Sequence, residues 1–278
     1  MNFNDKHVSA IITSKNEAGV ISNLIRSLKK QTYKNLKIIL IDNHSRDKTI
    51  QVAKKLGVKI YNYGPERSAQ RNFGAKKTKG EFLFFLDADM KLSPAVVEEC
   101  VKVCDSDKKI GALFVPEISI ASNFWEKAKA FERSFYNEKG DEITDAARFF
   151  KRDAFEKSGG YDEAITGPED WELTGRIKAS GYKTERIRSV IYHYERINSL
   201  FSLVRKKFYY GLRLHRYLSK QNVPAFSPKT IYFLRPVFYK NFNKIIAHPV
   251  LSVGMFIMLV LELFAGGLGY LIGKANKL

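Results

Sequence analysis

A short apolar run that ends in two acids constrains this chain more than any other feature. Phe82-Leu83-Phe84-Phe85-Leu86 is entered through the turn signal Lys79-Gly80-Glu81 and closed by Asp87-Ala88-Asp89. The run is too short for a membrane span and reads as a buried strand. Acids separated by one residue project to the same side of an extended chain. They surface where the strand ends, which is where open α/β sheets bind ligands. Two hard oxygen donors at such a place suit a divalent cation, Mg²⁺ or Mn²⁺, that holds a phosphate. A solvated loop closing a strand has the same composition, so the motif is weighed with its neighbours.

Two more apolar runs end in the same way. His7 to Thr13 stops at Ser14-Lys15-Asn16-Glu17, and the helical spacing Val20, Ile21, Leu24, Ile25, Leu28 follows. Leu36 to Ile41 stops at Asp42-Asn43-His44-Ser45-Arg46-Asp47, before a helical stretch to Leu56, Gly57 and a short strand at Val58–Tyr61. Strands alternating with helices predict an α/β fold with a mostly parallel sheet flanked by helices and right-handed crossovers. Three neighbouring strands then bring Asn16 and Glu17, Asp42, and Asp87 with Asp89 to one rim.

At these residues the chain resembles the family-2 glycosyltransferases of the GT-A fold, over roughly residues 7 to 220. The resemblance rests on Ile11-Ile12-Thr13-Ser14-Lys15-Asn16-Glu17, Ile41-Asp42-Asn43-His44-Ser45-Arg46-Asp47-Lys48-Thr49 and Arg71-Asn72-Phe73-Gly74-Ala75. It continues through Gly80-Glu81, the Asp87-Ala88-Asp89 triplet, Gly159-Gly160-Tyr161-Asp162-Glu163 and Glu169-Asp170-Trp171-Glu172-Leu173. It implies transfer of a sugar from a nucleotide-diphosphate sugar, UDP- or GDP-linked, with inversion at the anomeric carbon. Asp42 then resembles the acid that meets the nucleotide base, with Thr13, Asn16 and Glu17 beside it. Arg71 looks like a residue near the diphosphate, with Asn72 and Gly74 shaping its turn. Asp87 is similar to the acid near the ribose, Asp89 to the metal-ligating acid, and Asp170 to the catalytic base. Asn43 departs from the pattern, because many relatives carry a second acid there.

The residues around Asp170 support a role independently. Gly167-Pro168 precedes an amphipathic stretch to Ala179, with Gly181 after it, so Glu169 and Asp170 fall in a first helical turn. The macrodipole there favours an ionised carboxylate, which a base requires. Acids are also common in first turns for helix stability alone. His193 follows the strand-like Ser189-Val190-Ile191-Tyr192 and is a candidate third metal ligand as a neutral imidazole; a partly buried, hydrogen-bonded histidine is the alternative.

Composition sets the outer limits. A chain of 278 residues fills one α/β domain and an appendage. Cys100 and Cys104, its two cysteines, share one helix face without a second pair to make a zinc site. Met1 to Lys6 shows no basic region followed by an apolar one, so no signal peptide is expected. The net charge of +18 is uneven: Arg196 to His248 contains basic and aromatic residues and not one Asp or Glu. On a helical wheel Leu200, Leu203, Val204, Phe208, Leu214 and Leu218 oppose Arg205, Lys206, Arg213, Arg216 and Lys220. That pattern fits a helix on an anionic membrane surface, a helix packed on the sheet, or a surface tracking nucleic acid.

The C-terminal segment favours the membrane. Pro249 to Gly273 is apolar except for Glu262 and long enough to span a bilayer, with Lys240, Lys244, Lys274 and Lys277 flanking it. The upstream basic excess predicts a cell-membrane protein with a cytoplasmic catalytic domain, and no nucleic-acid partner is expected. Glu262 should face a partner, a headgroup or water. Ala265, Gly269 and Gly273 form a stripe that lets another helix approach closely, including that of a second copy. Crossing and re-entry of the segment both remain open.

The expected organisation is a catalytic domain at 1–198, a basic surface region at 199–248 and a membrane-inserted segment at 249–278. Such a tail suits a lipid-linked acceptor: a polyprenyl phosphate, a lipid-linked oligosaccharide or a glycolipid. With a hydroxyl acceptor Asp170 removes a proton; with a phosphate acceptor it positions. The acceptor pocket is expected within Ser122–Asp145 and the loop before Glu169, where Trp125, Phe131, Phe135 and Tyr136 either stack on an acceptor or form helix core. A nucleotidyltransferase or dinucleotide oxidoreductase would place a glycine-rich loop after the first strand, and Ser14-Lys15-Asn16-Glu17 supplies none. The remaining rival is a non-catalytic membrane-surface or nucleic-acid-binding protein on the same fold.

Overall fold

The computed structural model describes residues 5–276 apart from 142 and 144. Expectations touching Met1–Asn4, the two internal positions and Lys277 therefore lie outside the described residues. In chain order come β1 (Val8–Ser14), α1 (Ile21–Lys29), β2 (Leu36–Asp42), α2 (Thr49–Lys55), β3 (Lys59–Asn62) and α3 (Arg67–Lys76). β4 (Phe82–Asp87), β5 (Met90–Leu92), α4 (Val96–Ser106), β6 (Ile110–Phe114), β7 (Glu117–Ile120) and α5 (Phe124–Arg133) follow. Next are β8 (Phe149–Lys151), α6 (Arg152–Lys157), α7 (Glu169–Ala179), β9 (Lys183–Arg186) and β10 (Ile191–Tyr194). The remainder is helical: α8 (Leu200–Leu212), α9 (Leu214–Lys220), α10 (Pro236–Lys240), α11 (Phe242–Ala247) and α12 (Pro249–Ala275).

The chain divides into two units. The first contains Met1–Glu117, Ala146–Glu163 and Asp170–His193. Its seven-stranded sheet has the order β3-β2-β1-β4-β8-β6-β9. β3, β2, β1 and β4 run parallel, β8 runs antiparallel to β4 and β6, and β9 is parallel to β6. Alternate strand residues point to opposite faces. Val8, Ala10 and Ile12 pack with Ile21, Leu24 and Ile25 of α1 and Cys100 of α4. Ile11, Ile39, Ile41 and Phe85 meet Ala75 of α3 and Leu173 and Ile177 of α7 on the other face. Each fully buried side chain of this kind contributes about 1.5–3 kcal/mol, and covering both faces explains why the strands read as continuous apolar runs.

The second unit contains Ile118–Asp145, Ala164–Glu169 and Tyr194–Leu278. It takes up the chain for the last time at Tyr194, and α5 belongs to it rather than to the unit of the sheet. Phe131, Phe135 and Tyr136 are core, packed with Phe238, Met255 and Leu259. The helix read from Leu200 to Lys220 is two helices that meet at Arg213, whose φ of −108° is outside helical geometry. The small-residue stripe of α12 does receive another helix, but one from the same chain. Cβ atoms added at Gly269 and Gly273 would strike the carbonyl oxygens of Phe208 and Leu212 in α8. The stripe is thus filled internally and is closed to self-association while α8 occupies it. Glu262 meets Lys129 Nζ of α5 at 2.9 Å and Lys207 Nζ of α8 at 3.0 Å, so its partner is protein.

Gly74 lies within α3 rather than in a turn, and a Cβ there would come 2.4 Å from Ile11 Cγ2. Gly74→Val is expected to lower unfolding free energy by about 1–3 kcal/mol through overpacking. Gly19→Ala, which meets nothing within 4 Å, should stay within about 0.5 kcal/mol of the parent. Urea denaturation of the two variants checks this, and equal losses would refute the close approach of α3 to the sheet.

Candidate active site at the strand ends

The rim is built by the C-terminal ends of three adjacent strands. In register, Ser14 of β1 lies beside Asp42 of β2, and Thr13 beside Asp87 of β4. Gln70 of α3 clamps the first pair of strands, its buried amide donating to the carbonyls of Ser14 at 3.1 Å and Ile41 at 2.7 Å. The loops that follow are cross-tied. Asn16 Oδ1 accepts from the Arg46 amide at 2.8 Å, and the Asn16 amide donates to Ser45 Oγ at 2.7 Å. The Glu17 amide donates to Thr49 Oγ1 at 2.7 Å. Asn16 and His44 hold φ values of 58° and 49°, uncommon for residues with side chains and frequent at functional sites.

Asp42 is engaged by residues of its own rim. It is fully buried and accepts from Ser14 Oγ at 2.7 Å, Ser45 Oγ at 2.6 Å and the Ser45 amide at 2.7 Å. In this state it organises the 42–47 loop. Asn72 lies within α3 rather than in a turn. Its side chain donates to the Tyr161 carbonyl and to Glu163, each at 2.9 Å, and accepts from the Tyr161 amide at 2.9 Å. It pins the Gly159–Glu163 segment to α3.

Arg71 sits at the centre. Its side chain is 1% exposed, Nη2 lies 3.0 Å from Asp87 Oδ1, and Nη1 lies 2.7 Å from Asp170 Oδ1. Its guanidinium stands 5.0 Å from the centre of the Tyr161 ring. Arg71 therefore joins the β4 acid to the acid in the first turn of α7. Asp87 Oδ2 also meets Arg148 Nη1 at 3.3 Å, and Arg148 Nε meets Glu117 Oε1 at 2.5 Å. Glu117 Oε2 is 3.1 Å from His193 Nδ1, and His193 Nε2 is 3.4 Å from Asp89 Oδ2. Asp170, Arg71, Asp87, Arg148, Glu117, His193 and Asp89 thus form one unbroken polar chain. Burial alone would push the Asp87 carboxyl up, but Arg71, Arg148, Arg67 and His193 outweigh it and hold the group well below the usual carboxylate range.

Asp89 and His193 stand side by side. A carboxylate on Nδ1 orients a histidine to offer Nε2 to a metal, and Glu117 stands in that position. One imidazole and one carboxylate suit Mn²⁺ or Mg²⁺ when phosphate oxygens and water complete the shell. Among the described residues no three His, Cys, Asp or Glu side chains form a closed metal cage. The donor set fits a cation shared with a ligand.

Arg148 and Glu117 escaped the sequence reading. Glu117 follows the apolar stretch Ala112–Val115 and Pro116. It has the same acid-after-strand signature that singled out Asp42 and Asp87. Arg148 directly precedes buried Phe149 and Phe150 and has no comparable local signal.

The family model for Glycosyl transferase family 2 matches residues 9–159, more than half of the chain. A 4,4'-diaponeurosporenoate glycosyltransferase of Staphylococcus haemolyticus is 30% identical over 94 residues, 31% of this chain and 25% of the relative. The minor teichoic acid biosynthesis protein GgaB of Bacillus subtilis is 25% identical over 197 residues, 63% of this chain and 21% of the relative. The chain thus spans about a quarter or less of these two relatives. Among solved structures, the Pyrobaculum calidifontis mannosyltransferase PcManGT in complex with GDP-Man and Mn²⁺ superposes with a TM-score of 0.58 at 18% identity, covering 98% of this chain and 79% of that one. S. aureus TarS 1–349 in complex with UDP-GlcNAc gives 0.57 at 13% identity, covering 98% and 91%. These likenesses show the fold.

A depressed native pKa adds stability above the unfolded value and loses it as pH falls toward the native one. Asp87→Asn should cost about 3–5 kcal/mol at neutral pH by leaving two arginines short of a counter-charge. The gap to wild type should narrow as pH drops below about 4, where unfolded aspartate takes up its proton. Denaturant titrations across that range check both; a gap independent of pH refutes the ionic role.

Proposed function

Because this chain belongs to glycosyltransferase family 2, we propose that it transfers a sugar from a UDP- or GDP-sugar to a lipid-linked acceptor, with inversion, at the strand-end rim. The observation that carries the reading is the convergence of Asp89 and His193 at one end of a polar chain that ends at Asp170 on the other. A donor diphosphate needs positive charge at one place and the acceptor needs a base at another. Thr13, Asn16, Glu17 and the loop ordered by Asp42 receive the nucleoside, and the Asp87–Arg71 pair borders the ribose and diphosphate.

Asp89 and His193 would hold Mn²⁺ or Mg²⁺, with Glu117 fixing the imidazole. When bound, such a cation neutralises charge on the departing diphosphate. Asp170 accepts the proton of an acceptor hydroxyl, while Arg71 keeps the carboxylate aligned until substrate enters. With an acceptor phosphate no proton needs to move, and Asp170 then positions the incoming oxygen. Inversion is the family's stereochemical course. The lipid-linked acceptor is supported by the apolar face of α12 and by the basic segment upstream of it, which also favour the cytoplasmic face of a cell membrane.

Calorimetry with UDP and GDP, with and without Mn²⁺, tests the donor site. One nucleotide should bind in a metal-dependent manner, and Asp89→Ala should abolish the dependence. Binding of neither by folded protein would overturn the reading. Asp170→Asn should lower kcat about 10²–10⁴-fold with a hydroxyl acceptor while leaving nucleotide affinity within about tenfold. A phosphate acceptor would show a much smaller loss.

A further inference from the structure

We infer that α12 does not cross a membrane but lies along one leaflet of an anionic bilayer, held in plane by α5 and α8. This rests on the membrane reading above and concerns how the second unit meets lipid. α12 is the one helix long and apolar enough to span among the described residues. Its two sides are unlike along its whole length. Ser252, Met255, Met258, Leu259, Glu262, Ala265, Gly269 and Gly273 are buried against protein. The other side exposes an unbroken apolar stripe, with Val253 59%, Phe264 73% and Leu271 63% exposed.

The covering helices decide against crossing. α5 lies along the first half, where a Cβ at Gly254 would meet Phe124 and Ala128. α8 lies along the second half, from Leu203 beside Met258 to Leu212 against Gly273. α8 places exposed Arg205 and Lys206 near the level of Glu262, midway along α12. A spanning α12 would hold both cations at mid-depth in hydrocarbon, where charge is least tolerated. Lying in plane, the stripe enters the acyl boundary and the cations stay at the headgroups.

Charge selects the occupant. From Arg196 onward the only acid is Glu262, and it is buried between Lys129 and Lys207. The exposed surface of that segment carries Arg205, Lys206, Lys229, Lys240 and Lys274, none of them ion-paired among the described residues. A second copy would bring the same positive rim against itself; anionic headgroups complement it.

The test uses the full chain with vesicles of phosphatidylcholine, with and without phosphatidylglycerol. Co-sedimentation should require phosphatidylglycerol, and Phe264→Glu should weaken it by more than about tenfold, since a buried Phe is worth that much. Nitroxide labels on Val253→Cys, Phe264→Cys and Leu271→Cys should report one shallow depth, and Asn276→Cys should react with an impermeant maleimide from the same side as Lys54→Cys. Cys100 and Cys104 are buried and leave the labelling clean. A deep Phe264 label, or Asn276→Cys reacting only from the far side, overturns the in-plane placement while membrane association stands. Lack of vesicle binding by folded protein overturns both, and a dimer that Phe264→Glu converts to monomer assigns the stripe to a second copy.

Discussion

The first unit depends on one buried cation. Arg71 is nearly inaccessible and bonds carboxylates from two different elements, Asp87 at the end of β4 and Asp170 at the start of α7. A guanidinium has the planar fork to do this, and a lysine does not. Taking three charges from water is tolerable only when each is matched, and the matching continues outward through Arg148 and Glu117 to His193 and Asp89. Loss of a member would leave its neighbours one counter-charge short. The positions of the acid proposed as base and the pair proposed as cation ligands are therefore not independent. Such preorganised charge is what a site needs when negative charge develops on a departing group.

The second unit uses the same device for another purpose. Glu262 would be costly on an apolar helix in hydrocarbon, yet it sits among Lys129, Glu132 and Lys207 with α5 and α8 around it. Close helix approach makes the arrangement possible. Gly211, Gly269 and Gly273 have no side chains between the backbones of α8 and α12. Glycines of this kind resemble those of membrane helix pairs, but here they join two helices of one chain and leave the opposite side of α12 apolar and exposed.

Much of the sheet and its rim was legible because burial on both faces produces uninterrupted apolar runs, and a polar residue then marks where each run surfaces. That reasoning located the ends of β1, β2 and β4 and led to the expectation that Asn16 and Glu17, Asp42, and Asp87 with Asp89 reach one rim. It found the start of α7 from Pro168. Glu117 carried the same signal, but it lies three residues beyond β6, a strand that the apolar runs had not delimited. Arg148 had no signal, since one arginine before an aromatic pair looks like any other. The turn expected at Asn72 and Gly74 is a different case. Both residues lie in α3, one pinning a distant loop and the other admitting Ile11.

The sequence by itself determined the alternation of strand and helix, the family and the set of acids at the strand ends, because periodicity and local turn chemistry are written over a few residues. It also determined that the C-terminal segment is apolar and its upstream neighbour basic. Tertiary structure alone decided which charges meet. It turned Asp42 inward toward Ser14 and Ser45, and it placed Arg71 between two acids 16 and 99 residues away. It also set α5 and α8 along α12, giving a helix long enough to cross a bilayer a buried side and an exposed one. These outcomes depend on contacts between distant segments, and a hydrophobicity pattern records that a face is apolar without recording what will cover it.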